Sequence, residues 1–261
     1  MATYSLEDVR RVCKKRDAWW TMLVVDPLAV RLTRFLANWT SITPNQISLA
    51  SFAMGLVAAG CFATATPHWL ALGALAYHIG FILNCCDGKI ARLKGTGTRF
   101  GPWLHYIFDR VGMLCCTLTL VGGQYVRTGR AEFFYVGFAV LSLDMFRHLN
   151  TLHVAKIRQA MCDSLGTAGL PAEHVGVVSG VEFQMALFIA APLTGMITPI
   201  TLVAGGMLVA SELVIIYRLW LSTRECAGLI EGFTEGRRFG SDDSEAGSAV
   251  TERPLSGAGV R

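Results

Sequence analysis

Charge is scarce in this chain. Of its 261 residues only 16% are Asp, Glu, Lys or Arg, while 52% are hydrophobic and the mean hydropathy is +0.45. Soluble domains carry about 25% charged residues, so the deficit excludes an ordinary soluble fold and predicts a polytopic membrane protein. Other absences narrow the reading further. The net charge of +4 comes with no cluster of base-reading or stacking groups, which argues against a nucleic-acid partner. None of the eight cysteines pairs at zinc-finger spacing, and Cys61, Cys85, Cys86, Cys115 and Cys116 fall inside apolar runs. They read as reduced, structural thiols. No apolar core follows the charges of MATYSLEDVRRVCKKRDAWW, so a cleavable signal peptide is not predicted. No internal repeat is present.

What the chain does have is a series of apolar runs. A membrane helix needs about 20 apolar residues, and the runs predict an all-α protein with six spans near 46–64, 69–87, 102–123, 132–151, 181–198 and 200–221, the last two separated by a tight turn at Thr198-Pro199. Ahead of them, residues 1–40 mix charge and grease. Trp19, Trp20, Leu23, Leu28 and Phe35 alternate with Asp26, Arg31 and Arg34, and Pro27 is expected to break any single helix there. This pattern suits amphipathic helices lying at the membrane interface. Residues 41–222 then form the membrane domain. Residues 223–261 form a polar tail, expected to be largely disordered from about Gly236.

Orientation follows the short loops. Lys and Arg collect in the N-terminal segment, after the second span (Lys89, Arg92, Lys94, Arg99), after the fourth (Arg147, Lys156, Arg158) and at the start of the tail. The loops near Pro67 and Pro199 carry none, and only Arg127 and Arg130 dissent. The bias puts both termini on the cytoplasmic side of the cell (inner) membrane.

One stretch carries chemistry: NCCDGKIARLKGTGTRFGPWLHYIFD, residues 84–109. Asn84 and Asp87 are three apart, and His105 and Asp109 four apart, so each pair shares a helix face. KGTGT between them lets the backbone reverse, and the second and third spans are expected to pack side by side with these four side chains converging near their cytoplasmic ends. Ionisable groups inside a membrane are costly and mark functional sites. Two carboxylates, an amide and an imidazole, beside Lys89 and Arg92, suit a divalent cation and a phosphorylated ligand.

These residues resemble the signature of the CDP-alcohol phosphotransferase (phosphatidyltransferase) family, Asp-x-x-Asp-Gly-x-x-Ala-Arg, eight residues, Gly-x-x-x-Asp-x-x-x-Asp. Asp87-Gly88, Ala91-Arg92, Gly101 and Asp109 match it, and TPNQIS at Thr43–Ser48 is similar to the segment that opens the family's first membrane helix. Asn84 and His105 replace two of the four acids. The resemblance covers about residues 40 to 222 and implies a transferase of phospholipid biosynthesis. It moves a substituted phosphoryl group from a CDP-linked donor such as CDP-diacylglycerol to an alcohol, releases CMP, and tends to be a homodimer.

The same resemblance implies that Asp87 and Asp109, with Asn84 and His105 at the altered positions, hold divalent metal, magnesium or manganese, and that Asp109 deprotonates the acceptor. Gly88, Ala91 and Arg92 would admit the nucleotide and meet its phosphates, Lys89 adding charge and Gly101 completing the motif. His105 offers nitrogen, which shifts preference towards manganese, zinc or iron, and it is itself a candidate acid or base. Two other readings stay open: an enzyme of this scaffold acting on a different diphosphate (a prenyl diphosphate lyase or cyclase) or on a CDP-activated phosphonate, and a non-catalytic lipid- or partner-binding protein.

Outside the motif, Asp144 and Arg147 are one turn apart and predicted to pair, with Arg147 the candidate for an acceptor phosphate. His78 is expected to bond a carbonyl, and Trp103 and Tyr106 to serve in packing.

Overall fold

A computed structural model describes residues 3–14, 17–165 and 179–248, the last with side chains through Arg224. Every element among the described residues is helical. The backbone groups into two compact units, residues 1–149 with 175–212, and residues 150–174 with 213–261.

The first unit starts with α1 (Leu6–Arg11). Ser5 caps it in a reciprocal box with Asp8, and the backbone N–H and hydroxyl of Ser5 hold the Asp8 carboxyl below its usual range. A π-helical turn at Thr21–Val25 leads into α2 (Asp26–Trp39), and the backbone is helical without interruption from 19 to 39. Pro27 therefore does not break this segment. It follows closely on the π turn, whose wider winding accommodates a residue without an N–H inside the running helix.

Thr43 then caps α3 (Pro44–Ala63) in a capping box with Gln46, Pro44 standing in its first turn. α4 (Pro67–Lys94) and α5 (Gly101–Thr128) follow, each 28 residues long. α4 ends on Gly95, whose φ of 63° is the left-handed conformation a helix stop favours in glycine. Because α4 runs to Lys94, the cations Lys89, Arg92 and Lys94 lie on the helix rather than in the loop that the charge pattern suggests.

The α3, α4 and α5 helices, with the helix Ile197–Arg224, are the four among the described residues that are long and apolar enough to cross a membrane. The protein is an all-α polytopic membrane protein. The two remaining spans expected from the sequence differ in form. The run at 132–151 is the front of α6 (Glu132–Leu165), which carries Asp144, Arg147 and His148 and is less apolar than the four. The run at 181–198 is a short apolar helical stretch, Gly180–Thr194, made of α7 (Gly180–Met185), a π turn (Ala186–Ala190) and α8 (Ala191–Thr194). The chain turns at Gly195, φ 71°, and α9 (Ile197–Ser248) already contains Thr198 and Pro199. The turn falls there because glycine reaches that φ freely, while Pro199 can be housed in a first helical turn.

α3 packs along both α4 and α5, whereas α4 and α5 do not run closely along each other as the sequence suggests. Small residues permit the contacts: a Cβ on Gly123 of α5 would stand 2.6 Å from the Ala63 carbonyl oxygen, the close backbone approach typical of membrane interfaces. Phe62, Leu120, Leu187 and Phe188 fill the core behind. The N-terminal segment packs Val25 and Ala29 on Ile47, Cys86 and Ile90, and the Tyr4 and Asn38 groups exchange two hydrogen bonds (2.8 and 3.0 Å) that fasten its start to α2.

The second unit contains the later part of α6 and α9 from Leu213. Here Tyr217 stacks on Trp220, and Arg224 lies 4.7 Å over the same ring. α9 stays helical through Gly236 to Ser248, so the first part of the expected polar tail is helix; the remainder, 249–261, lies outside the described residues. The seven described cysteines are free thiols.

Candidate active site

With α3 wedged against both α4 and α5, the space between those two helices is open. It forms a cavity of about 720 Å³ within the first unit. Asn84, Asp87, Gly88, Lys89, Ala91, Arg92, Gly101, His105, Asp109 and Arg147 all line it, so every candidate site residue named from the sequence faces one space. Asp87 and Asp109 each lie about two turns from the helix ends joined by residues 95–100, roughly 10–12 Å deep at 1.5 Å per residue.

The two halves of the motif touch through Asp87. Its Oδ2 accepts the Ser48 hydroxyl from α3 at 2.5 Å and lies 3.0 Å from His105 Nδ1 on α5. An ionised carboxylate only accepts, so Nδ1 carries the hydrogen and Nε2 is left for other partners. Asp87 is 7% exposed at its side chain and His105 38%. Lys89, two residues along and so on another side of α4, is buried with its ammonium 2.8 Å from Asp26 Oδ1 and donating to the Cys85 carbonyl at 3.3 Å. The Arg92 Nε–H bonds the Val12 carbonyl at 2.8 Å. Glycine at position 88 leaves room for the Arg92 guanidinium, which a Cβ there would meet at 3.4 Å.

Across the cavity Asp109 is 41% exposed and has one cationic neighbour, Arg110 Nη2 at 3.3 Å. Arg110 Nη1 bonds both oxygens of Asp144, at 2.8 and 2.7 Å, and approaches His148 Nδ1 at 3.4 Å. The predicted Asp144–Arg147 pair is present at 3.5 Å, though Arg110 is the nearer partner. Arg147 reaches the cavity over Gly180, where a Cβ would sit 2.5 Å from its guanidinium carbon. His78 stands edge-on to Trp20, and its buried Nδ1 has no hydrogen-bond partner, so that nitrogen does not make the expected carbonyl contact. Trp103 packs on Phe100, and Tyr106 on His148.

Sequence reasoning missed Arg110, Ser48 and the N-terminal contribution of Lys14, Asp17, Thr21 and Asp26. Arg110 was detectable as a cation inside an apolar run beside Asp109, and Ser48 as the residue one helical turn past Pro44. Nothing in the N-terminal segment itself pointed to the cavity.

A divalent metal can be tested against the donors. Among the described residues no three His, Cys, Asp or Glu side chains form a metal cage. The Asp87 Oδ2 is occupied by Ser48 and His105, while the Asn84 amide has no hydrogen-bond partner among the described residues and Asp109 is 41% exposed. Two carboxylates and an amide oxygen on one cavity suit a hard cation that takes its remaining oxygens from water and a bound phosphate.

Comparison with known proteins bears on the same region. The profile of the CDP-alcohol phosphatidyltransferase family matches residues 41–223. A bifunctional IPC transferase and DIPP synthase of Archaeoglobus fulgidus is 27% identical over 145 residues, 52% of this chain; the match spans 28% of that protein's length. A crystal structure of Mycobacterium tuberculosis phosphatidylinositol phosphate synthase (PgsA1) with CDP-DAG bound is also similar, at 18% identity and a TM-score of 0.45, over 76% of this chain and 94% of that one.

Proposed function

The chain belongs to the CDP-alcohol phosphatidyltransferase family and is an enzyme of that class, and from this we propose that it moves a substituted phosphoryl group from a CDP-linked lipid or alcohol to an alcohol acceptor and releases CMP. The observation that carries the reading is the Asp87–His105 contact, which joins the α4 and α5 halves of the motif on one cavity that also holds Lys89, Arg92, Arg110 and Arg147.

The donor's diphosphate lies against α4, where Gly88 and Ala91 keep the wall low and Lys89 and Arg92 supply positive charge. Gly101 keeps the start of α5 narrow opposite them. The acceptor hydroxyl approaches from the α5 side. Asp109, more open than Asp87, takes its proton as the acceptor oxygen bonds the phosphorus nearer the donor's alcohol, and the bond from that phosphorus to the CMP oxygen breaks. Arg110 steadies the Asp109 carboxylate, and Arg147 meets a phosphate on the acceptor. A divalent cation, magnesium or manganese, held by Asp87, Asp109 and Asn84 would neutralise charge on the departing phosphate. The remaining contributions of these residues are positioning and charge complementarity. His105, fixed by Asp87, is a second catalytic candidate. The cavity opens to the cytoplasm of the cell membrane, the side to which the Lys and Arg bias assigns both termini, and the chain works as a homodimer.

The test is incubation of the purified protein with CDP-diacylglycerol, CDP-alcohols and prenyl diphosphates under magnesium, manganese and zinc. CMP released only when an alcohol acceptor is present is the expected outcome. Released diphosphate would move the protein to lyase chemistry, and release of neither would remove catalysis from the reading.

A further inference from the structure

The family profile starts at residue 41, yet Lys14, Asp17, Thr21 and Asp26 line the cavity. We propose that Asp26 is a positioning residue that holds the Lys89 ammonium for the diphosphate of the donor, a role that rests on the CDP-donor reading above. Lys89 occupies one of the two positions between Asp87-Gly88 and Ala91-Arg92 that the motif leaves unspecified.

A lysine 5% exposed loses its charge or withdraws to water unless a partner offsets its desolvation. Asp26 is that partner at 2.8 Å, and the Cys85 carbonyl takes a second N–H at 3.3 Å. The Asp26 contact is an ion pair outside hydrogen-bond geometry, so of the ammonium's three N–H groups only the one to Cys85 is committed, and donors remain for a ligand in the cavity that Lys89 lines. Asp26 is itself held firmly. It opens α2 directly after the π turn, Val25 and Ala29 on either side of it pack on Cys86 and Ile90 of α4, and the Cys86 thiol donates to the Ala29 carbonyl at 3.5 Å. The same segment grips the next cation of α4, since the Val12 carbonyl holds Arg92. The N-terminal segment thus aims both α4 cations from outside the residues that the family profile matches.

A merely structural ion pair would look the same in one respect, so the test separates position from stability. CDP affinity and melting temperature are measured on the full chain in detergent for Asp26→Asn, Lys89→Met and the double variant. Each single change is expected to weaken CDP about tenfold, the scale of one charge-assisted hydrogen bond. The double variant is expected to bind no worse than Lys89→Met alone, because Asp26 acts through Lys89. Asp26→Glu should restore binding. If Asp26→Asn does not fold, the apolar pair Asp26→Leu with Lys89→Met keeps the packing without a buried charge and should show the Lys89→Met affinity. Unchanged CDP binding in a folded Asp26→Asn, or losses that add in the double variant, overturns the role. A wild-type chain that binds no CDP removes the donor reading itself, and this role with it.

Discussion

The two helix walls of the cavity treat their acids differently. On α4 the Asp87 side chain is 7% exposed and one of its oxygens already receives Ser48 and His105, while its neighbour Lys89 is closed against Asp26. On α5 the Asp109 side chain is 41% exposed and has a single long contact to Arg110. A carboxylate with one oxygen taken by two protein donors is held in place, with only its other oxygen left to meet a cation. One with open lone pairs can accept a proton or a cation during a reaction. Under the proposed function the motif would divide its work, with the α4 wall holding geometry and phosphate charge and the α5 wall meeting the reacting group.

The sharpest way to break that contrast is to remove both acids in turn. Asp109→Ala should lower turnover by about 10²–10⁴-fold, the range of a positioned proton acceptor, with a melting temperature close to wild type. Steady-state CMP release together with a thermal melt reads both. Asp87→Ala should damage activity and fold together, since it removes the acceptor that the Ser48 hydroxyl and the His105 imidazole share. The expected loss of stability is about 1 kcal/mol, the scale of two interhelical hydrogen bonds in a membrane protein, seen as a lower melting temperature that Asp109→Ala does not share. Equal melting temperatures in the two variants would erase the difference between the walls.

A smaller effect tests the metal. Asn84→Asp with His105→Asp adds two carboxylates and releases the Asp87 oxygen from its imidazole contact. Oxygen-rich sites hold magnesium better than sites with nitrogen. CMP release should then saturate at several-fold lower magnesium, and unchanged metal dependence would show that positions 84 and 105 do not touch the ion.

Much of the site was legible because its chemistry is local in sequence. Asn84 with Asp87, and His105 with Asp109, are one turn apart on two helices joined by a short glycine-bearing link, so helical periodicity alone puts them on common faces. The less legible parts depend on which helix lies between which. That α3 separates α4 from α5, and so leaves a cavity where direct packing was expected, follows from close approaches such as Gly123 against the Ala63 carbonyl, which no one-dimensional pattern records. Asp26 reads as one acid among the charges of an amphipathic segment, and only the fold reveals that it meets Lys89, sixty-three positions away (89 − 26). The short fifth apolar run misled for a local reason: Gly195 ends it before the Thr198-Pro199 pair that composition suggests.

The mildest test acts on the quiet wall alone. Ser48→Ala removes one donor from Asp87 Oδ2 and leaves His105 in place. Interhelical hydrogen bonds in membrane proteins contribute about 0.6 kcal/mol on average and up to about 1.7, and the Ser48 hydroxyl also has the Pro44 carbonyl within its own helix at 3.2 Å. The melting temperature should therefore fall by only a few degrees. If Asp87 is a fixture, turnover should drop no more than a few-fold, because His105 still holds the carboxylate between α4 and α5. A loss as large as that of Asp109→Ala would mean instead that the Ser48–Asp87 pair takes part in the chemistry, and the quiet wall would have to be counted among the reacting groups.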